Sequence, residues 1–209
     1  NVKDIPAPNL STIISSVVKS AKEDIYIIID NSCLSVFFQP WNMVIGKTTK
    51  VHLILFESLN KYLQFGLDRT TGGIIVALGK DNGKLSSYRE HLGTNISDTS
   101  VYMIPKPNRH ILEKRLLRLN RNMLFLSQAL EDFIRSNNTE IERVIRPDIF
   151  FSGSFFTLGF KNTNIRHYRR FVQRVIDLGR KRKIDLVAGT SFGLSTTRIY
   201  VTASRTSYV

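Results

Sequence analysis

Three residues that could do chemistry stand at the ends of two apolar runs. Asp30 closes Ile25-Tyr-Ile-Ile-Ile29, and Ser58 and Lys61 follow Val51-His-Leu-Ile-Leu-Phe56. Both runs are short, β-rich and flanked by polar residues, the pattern of strands buried on both faces of a parallel sheet. In open α/β sheets ligands sit outside the carboxyl ends of the strands. An acid after one strand and a hydroxyl plus a lysine after the next would therefore share one crevice and form a cofactor site. A lysine in a partly desolvated site has a lowered pKa and can serve as nucleophile and proton shuttle. The plain alternatives are a surface lysine after a strand and a turn or helix-capping aspartate.

The elements that must position these residues alternate. A helical pattern through Ile13, Ile14, Val17, Val18 and Ala21, with Asn9 or Ser11 as its cap, leads into the strand ending at Asp30. A loop with Pro40 and Gly46 leads to the second strand. A third apolar run, Gly73-Ile-Ile-Val-Ala-Leu78, precedes the turn-forming cluster Lys80-Asp-Asn-Gly-Lys84. Pro105-Lys-Pro107 marks a boundary, after which the spacing predicts a long helix over about residues 108–134. Beyond it come a strand-like stretch over 150–158, a basic helix over about 166–180 and a last strand over 198–202. The order suggests a helix-covered sheet over residues 1–105, then a bridging helix and a small α+β domain over 106–209.

With 209 residues, 42% of them apolar, the chain can bury a real core. No apolar run approaches the roughly 20 residues that span a bilayer, and the opening residues do not form a secretory signal. The single cysteine, Cys33, excludes an internal disulfide and reads as a small buried hydrophobe; a cytosolic protein is expected. The four histidines, His52, His91, His110 and His167, form no metal or triad pattern. A net charge of +13 favours anionic partners. However, the densest basic segments, 109–121 and 166–183, carry apolar residues at helical spacing. They read as solvated outer faces of amphipathic helices, so neither nucleic acid nor membrane is expected as a partner.

Asp30-Asn-Ser32, then Ser58-Leu-Asn-Lys61-Tyr62 with Asp68 and Gly72 seven and eleven places after the lysine, resembles the Cys/Met-metabolism branch of pyridoxal-phosphate enzymes. That is the group of cystathionine γ-synthase, cystathionine γ-lyase and methionine γ-lyase. Leu117-Arg-Leu-Asn-Arg-Asn122 is similar to the family's bridging helix, Gly153-Ser-Phe-Phe to its small-domain entry strand, and Thr190-Ser-Phe-Gly193 to its Ser-Leu-Gly element. Asn60 stands where the family has threonine, and Phe65-Gly-Leu replaces Gly-His-Ser. The resemblance implies an α/β architecture of fold type I: part of the large, mostly parallel-sheet domain plus the small α+β carboxy-terminal domain. It further implies another large-domain portion before Asn1, carrying the phosphate loop, and a homodimer or homotetramer.

On that resemblance the cofactor is pyridoxal 5'-phosphate. Lys61 is the Schiff-base lysine, Asp30 the partner of the pyridine nitrogen, and Ser58 and Asn60 the phosphate ligands. Ser191 lines the amino-acid carboxylate, unless it is a turn hydroxyl. Arg198 either clamps that carboxylate, an arrangement similar to aminotransferases, or is structural. Asn1 matches an asparagine that touches the ring hydroxyl. The activity implied is β- or γ-elimination, or γ-replacement, on a sulfur-containing or O-activated homoserine-type amino acid. The rivals are an aminotransferase or aldolase of the same fold, and a non-catalytic paralogue that binds an anionic partner through its basic surface.

Overall fold

The computed structural model of the chain describes residues 9–78, 80–146, 153–162 and 164–201. The first helix, α1 (Leu10–Ser20), begins where the Asn9 side chain accepts a hydrogen bond from the Thr12 amide at 3.0 Å, so Asn9 is its cap. It delivers the chain to β1 (Ile25–Asp30), which runs parallel to β2 (Val51–Ser58), with Asp30 opposite Phe56. Strand β3 (Gly73–Ala77) closes a three-stranded sheet in the order β1-β2-β3 and runs antiparallel to β2. Because β1 and β2 are parallel, their carboxyl ends share one sheet edge, and the next strand begins there.

One face of the sheet is covered. Ile29, Leu53 and Leu55 pack with Ile14 of α1 and with Val44 and Trp41 from the turns between β1 and β2. The opposite face is open: Ile28 is 66% exposed and Ile75 60%, with Phe56 beside them. Strands buried on both faces are thus not what these residues form. The apolar run alone does not reveal which face finds a partner, since both give the same sequence pattern.

A helix, α2 (Lys80–His91), replaces the turn expected over 80–84. It has little apolar periodicity, and its docking rests on Asp81. That buried carboxylate lies 2.8 Å from Nδ1 of His52 and accepts the Tyr26 hydroxyl at 3.3 Å, while the Tyr26 and His52 rings stack at 4.7 Å. The short α3 (Asp98–Met103), absent from the sequence reading, buries none of its residues.

The long helix α4 (Arg109–Ser136) starts two residues after Pro107 on an Asn108 cap. Leu112, Leu116, Asn120, Met123 and Ser127 form its buried stripe. Leu112 and Leu116 close over Tyr62, with Leu34, Leu119 and Phe192 around them. The stripe continues to β4 (Ile141–Ile145), which pairs antiparallel with β5 (Thr157–Phe160). Strand β4 was not anticipated, and the strand expected over 150–158 begins at Thr157; residues 147–152, like Asn1, lie outside the described residues. Helix α5 (Ile165–Lys181) packs on β6 (Leu186–Ala188), which runs parallel to β7 (Thr197–Ile199). Among the described residues no helix is long and apolar enough to cross a membrane.

Candidate functional site

Side chains rather than covering helices join the two strand ends. The Asn31 amide extends the ladder to the Phe56 carbonyl at 2.9 Å, and the Ser58 amide donates to Ser32 Oγ at 2.8 Å. Asp30 Oδ1 accepts the Ser32 amide at 2.9 Å, an Asx turn that fixes the acid at the end of β1. Behind it, the Glu57 carboxylate accepts from Asn31 Nδ2 at 2.7 Å and from Ser35 Oγ at 2.9 Å. Burial raises the Glu57 pKa, these two hydrogen bonds oppose the rise, and the charge of Asp30 adds to it. Asp30 and Ser58 then line one open cleft of about 360 Å³, floored by Phe56, Ile75 and the Gly72-Gly73 backbone.

Lys61 stands on a π-helical turn, Leu59–Leu63, directly after β2. Such turns recur at functional sites because the extra residue per turn rotates a side chain out of helical register. Its amine donates to Ser191 Oγ at 2.8 Å and lies 5.1 Å from the centre of the Phe192 ring. The neighbouring Tyr62 points the other way, buried, with its hydroxyl donating to Ser154 Oγ at 3.0 Å; burial pushes its phenol pKa up.

The turn is braced from below. Gln64, 1% exposed, donates to the carbonyls of Leu59 and Thr70 and accepts the amides of Arg69 and Thr70. Asn60 donates to Asp68 and to the Thr70 carbonyl, each at 3.2 Å, and accepts the Gly72 amide. All its polar groups are therefore engaged within the loop. Phe65 and Asp68 hold left-handed backbone, with φ of 54° and 50°, where side chains other than glycine are strained.

A second clamp comes from α4. Arg115 Nη2 donates to the Gly193 carbonyl at 3.1 Å, and burial lowers the guanidinium pKa, with Arg118 adding to the fall. Gly193, at φ 80°, presses on Lys61: a Cβ there would meet the Lys61 carbonyl oxygen and the Tyr62 ring at 2.7 Å. The 191–195 turn is thus seated against the lysine turn, which is what brings Ser191 to the amine.

The structure therefore sets Asp30 and Ser58 on one cleft and bonds Lys61 to Ser191, outside the residues that line that cleft. Cys33 feels the charges of both Asp30 and Lys61. Desolvation raises its thiol pKa, the Asp30 charge raises it further and the Lys61 charge lowers it. The residue as a whole is nevertheless exposed, which corrects its reading as a buried hydrophobe: the sulfur is partly desolvated while the rest of the residue meets solvent. Arg198 stands apart on β7. It packs against Gly189, its Nε is buried with no hydrogen-bond partner, and no recorded bond among the described residues joins it to Asp30 or Lys61. No group of His, Cys, Asp and Glu among the described residues could hold a metal ion.

Sequence reasoning missed Glu57, Gln64 and Arg115. Their partners are mostly backbone atoms brought together only by folding, so spacing along the chain carries no trace of them. The strain at Phe65 and Asp68 was signalled only by the neighbouring Gly66.

No protein-family model matches the chain. A curated protein described as the bifunctional enzyme flvA of Aspergillus flavus is 22% identical over 187 residues, covering 85% of this chain and 22% of that protein. The chain thus spans about a fifth of the length of this distant relative, which is an enzyme by its description.

Proposed function

We propose that these residues are part of a pyridoxal-phosphate-dependent enzyme of fold type I. On this reading it carries out β- or γ-elimination, or γ-replacement, on a sulfur-containing or O-activated homoserine-type amino acid, as a homodimer or homotetramer. The observation that carries the reading is an acid and a hydroxyl lining one cleft at parallel strand ends, with a lysine held by a serine on the turn that follows the second strand. The donor set suits the cofactor: a carboxylate for a ring nitrogen, a hydroxyl for a phosphate and an amine for an aldehyde. When bound, the cofactor supplies an electron sink for the carbon that loses its proton.

Each residue then has a defined task. Asp30, fixed by its Asx turn, holds the ring nitrogen in its cationic form. Ser58 donates to the phosphate, while Asn60 shapes the loop that presents it. The Lys61 amine, its position set by Ser191, would take the Cα proton and pass it to the departing group, so that the two leave together as HX. Once substrate arrives, Ser191 turns its hydroxyl to the α-carboxylate. A single mobile amine such as Lys61 would serve at Cα and, for departure of a γ group, at Cβ in turn.

Arg198 supports a second reading, an aminotransferase or aldolase of the same fold. Its buried, unpaired Nε is a donor that a substrate carboxylate would satisfy.

Titrating the protein with pyridoxal phosphate tests the proposal. A visible band that shifts when an amino acid is added, and that is lost in Lys61→Ala, is expected. No band in the wild type would contradict an enzymatic role through this cofactor and favour the non-catalytic paralogue. Arg198→Lys separates the two catalytic readings: a large rise in KM for amino acids with kcat kept points to the carboxylate clamp.

A further inference from the structure

Helix α5 carries an unusual arrangement of charge. Arg166, Arg169, Arg170, Arg174, Arg180 and Lys181 fall within one exposed face of the helix, followed by Arg182 and Lys183. At 1.5 Å per residue the stripe is about 22 Å long. The only acid on the helix, Asp177, is engaged by Gln173 at 3.0 Å and Arg180 at 3.9 Å. Arg166, Arg169, Arg170 and Arg174 enter no ion pair recorded among the described residues.

Helix stability does not call for this pattern. The first turn holds no acid, so cations crowd the positive end of the helix dipole, and like charges face one another at i and i+4. The helix is held instead by its other face. Ile176 and Gly179 are buried, and Tyr168 and Phe171 pack on Phe160 with ring centres 5.3 and 4.9 Å apart. A rigid rod therefore presents self-repelling guanidinium groups to solvent.

We propose that this face docks the sugar-phosphate backbone of a nucleic-acid duplex, independently of the chemistry at Lys61. Three features select that occupant. The face is mostly arginine, whose fork matches phosphate oxygens in pairs. Between the cations it offers only Gln173 and Asp177, so it lacks the apolar centre that a protein interface needs, whereas nucleic-acid interfaces are polar and basic. The apolar face is engaged within the fold, so the helix cannot bury it in a lipid surface. Without aromatic groups on the stripe, binding is through phosphates and indifferent to sequence. The net charge of +13 steers such a polyanion toward the molecule.

The test is fluorescence anisotropy of a labelled DNA duplex with the whole chain over a range of potassium chloride. Four phosphate contacts predict a log–log salt slope of about −3.6, or roughly a hundredfold loss of affinity between about 50 and 200 mM salt. Replacing Arg166, Arg169, Arg170 and Arg174 together by Gln removes most of that slope, and replacing all four by Lys retains it. Arg118→Gln with Arg121→Gln on α4 leaves it unchanged. Circular dichroism of each variant confirms the fold. Absence of binding at about 50 mM salt, binding unaffected by the four Gln substitutions, or capture of phosphatidylserine vesicles but not of duplex would each overturn the proposal.

Discussion

At the scale of single residues, the seat of Lys61 depends on groups that touch it from behind. Gly193 has positive φ and no room for a Cβ, so Gly193→Ala forces the 191–195 turn away from the lysine. The expected loss is about 1–3 kcal/mol of stability in chemical denaturation, with Ser191 displaced from the amine. Glu57 gives a pH signature whose sign follows from its environment. Its folded pKa is raised, so its contribution to stability is fully present below the unfolded value and is lost as pH rises through the folded one. Glu57→Gln therefore gains on the wild type as pH goes from about 4 to 7, a trend that thermal melts at several pH values check. The positions of Asp30, Ser58 and Lys61 at the ends of strands were legible in the sequence because a polar residue closing an apolar run is a local pattern. Glu57 was not, because only folding sets it against Asn31 and Ser35.

At the scale of elements, the π-helical turn after β2 is the critical piece. Gln64 satisfies four backbone groups of the loop that carries Lys61, and removing it leaves those groups buried and unpaired. Gln64→Ala is expected to cost about 2–4 kcal/mol, measured by urea denaturation. Leu116, fully buried against Tyr62, is the matching contact from α4; Leu116→Ala costs about 2–5 kcal/mol. The first three strands were readable as short continuous apolar runs, and the long helices because their apolar residues recur at a period of about 3.6. Helix α2 was misread as a turn because Lys80 to Lys84 is rich in turn formers. It is docked through polar contacts of Asp81 with His52 and Tyr26, which leave no mark on hydrophobic period. Strands β4 and β6 are short and partly exposed, so their patterns were too weak to register.

At the scale of the whole molecule, the sheet is covered on one face and open on the other. The open face presents Ile28, Phe56 and Ile75 around the cleft that holds Asp30 and Ser58. Exposed apolar surface of this kind promotes association. Ile28→Ser with Ile75→Ser should therefore reduce self-association in sedimentation while changing stability by less than about 1 kcal/mol. The sequence announced the strands but not which face would be left uncovered.

The most direct measurement is to reduce the protein with borohydride in the presence of pyridoxal phosphate, digest it and locate any modified lysine by mass spectrometry. A single pyridoxyl group on Lys61 is expected, much reduced in Asp30→Asn. Modification spread over surface lysines, with Lys61 no more labelled than the rest, would contradict it.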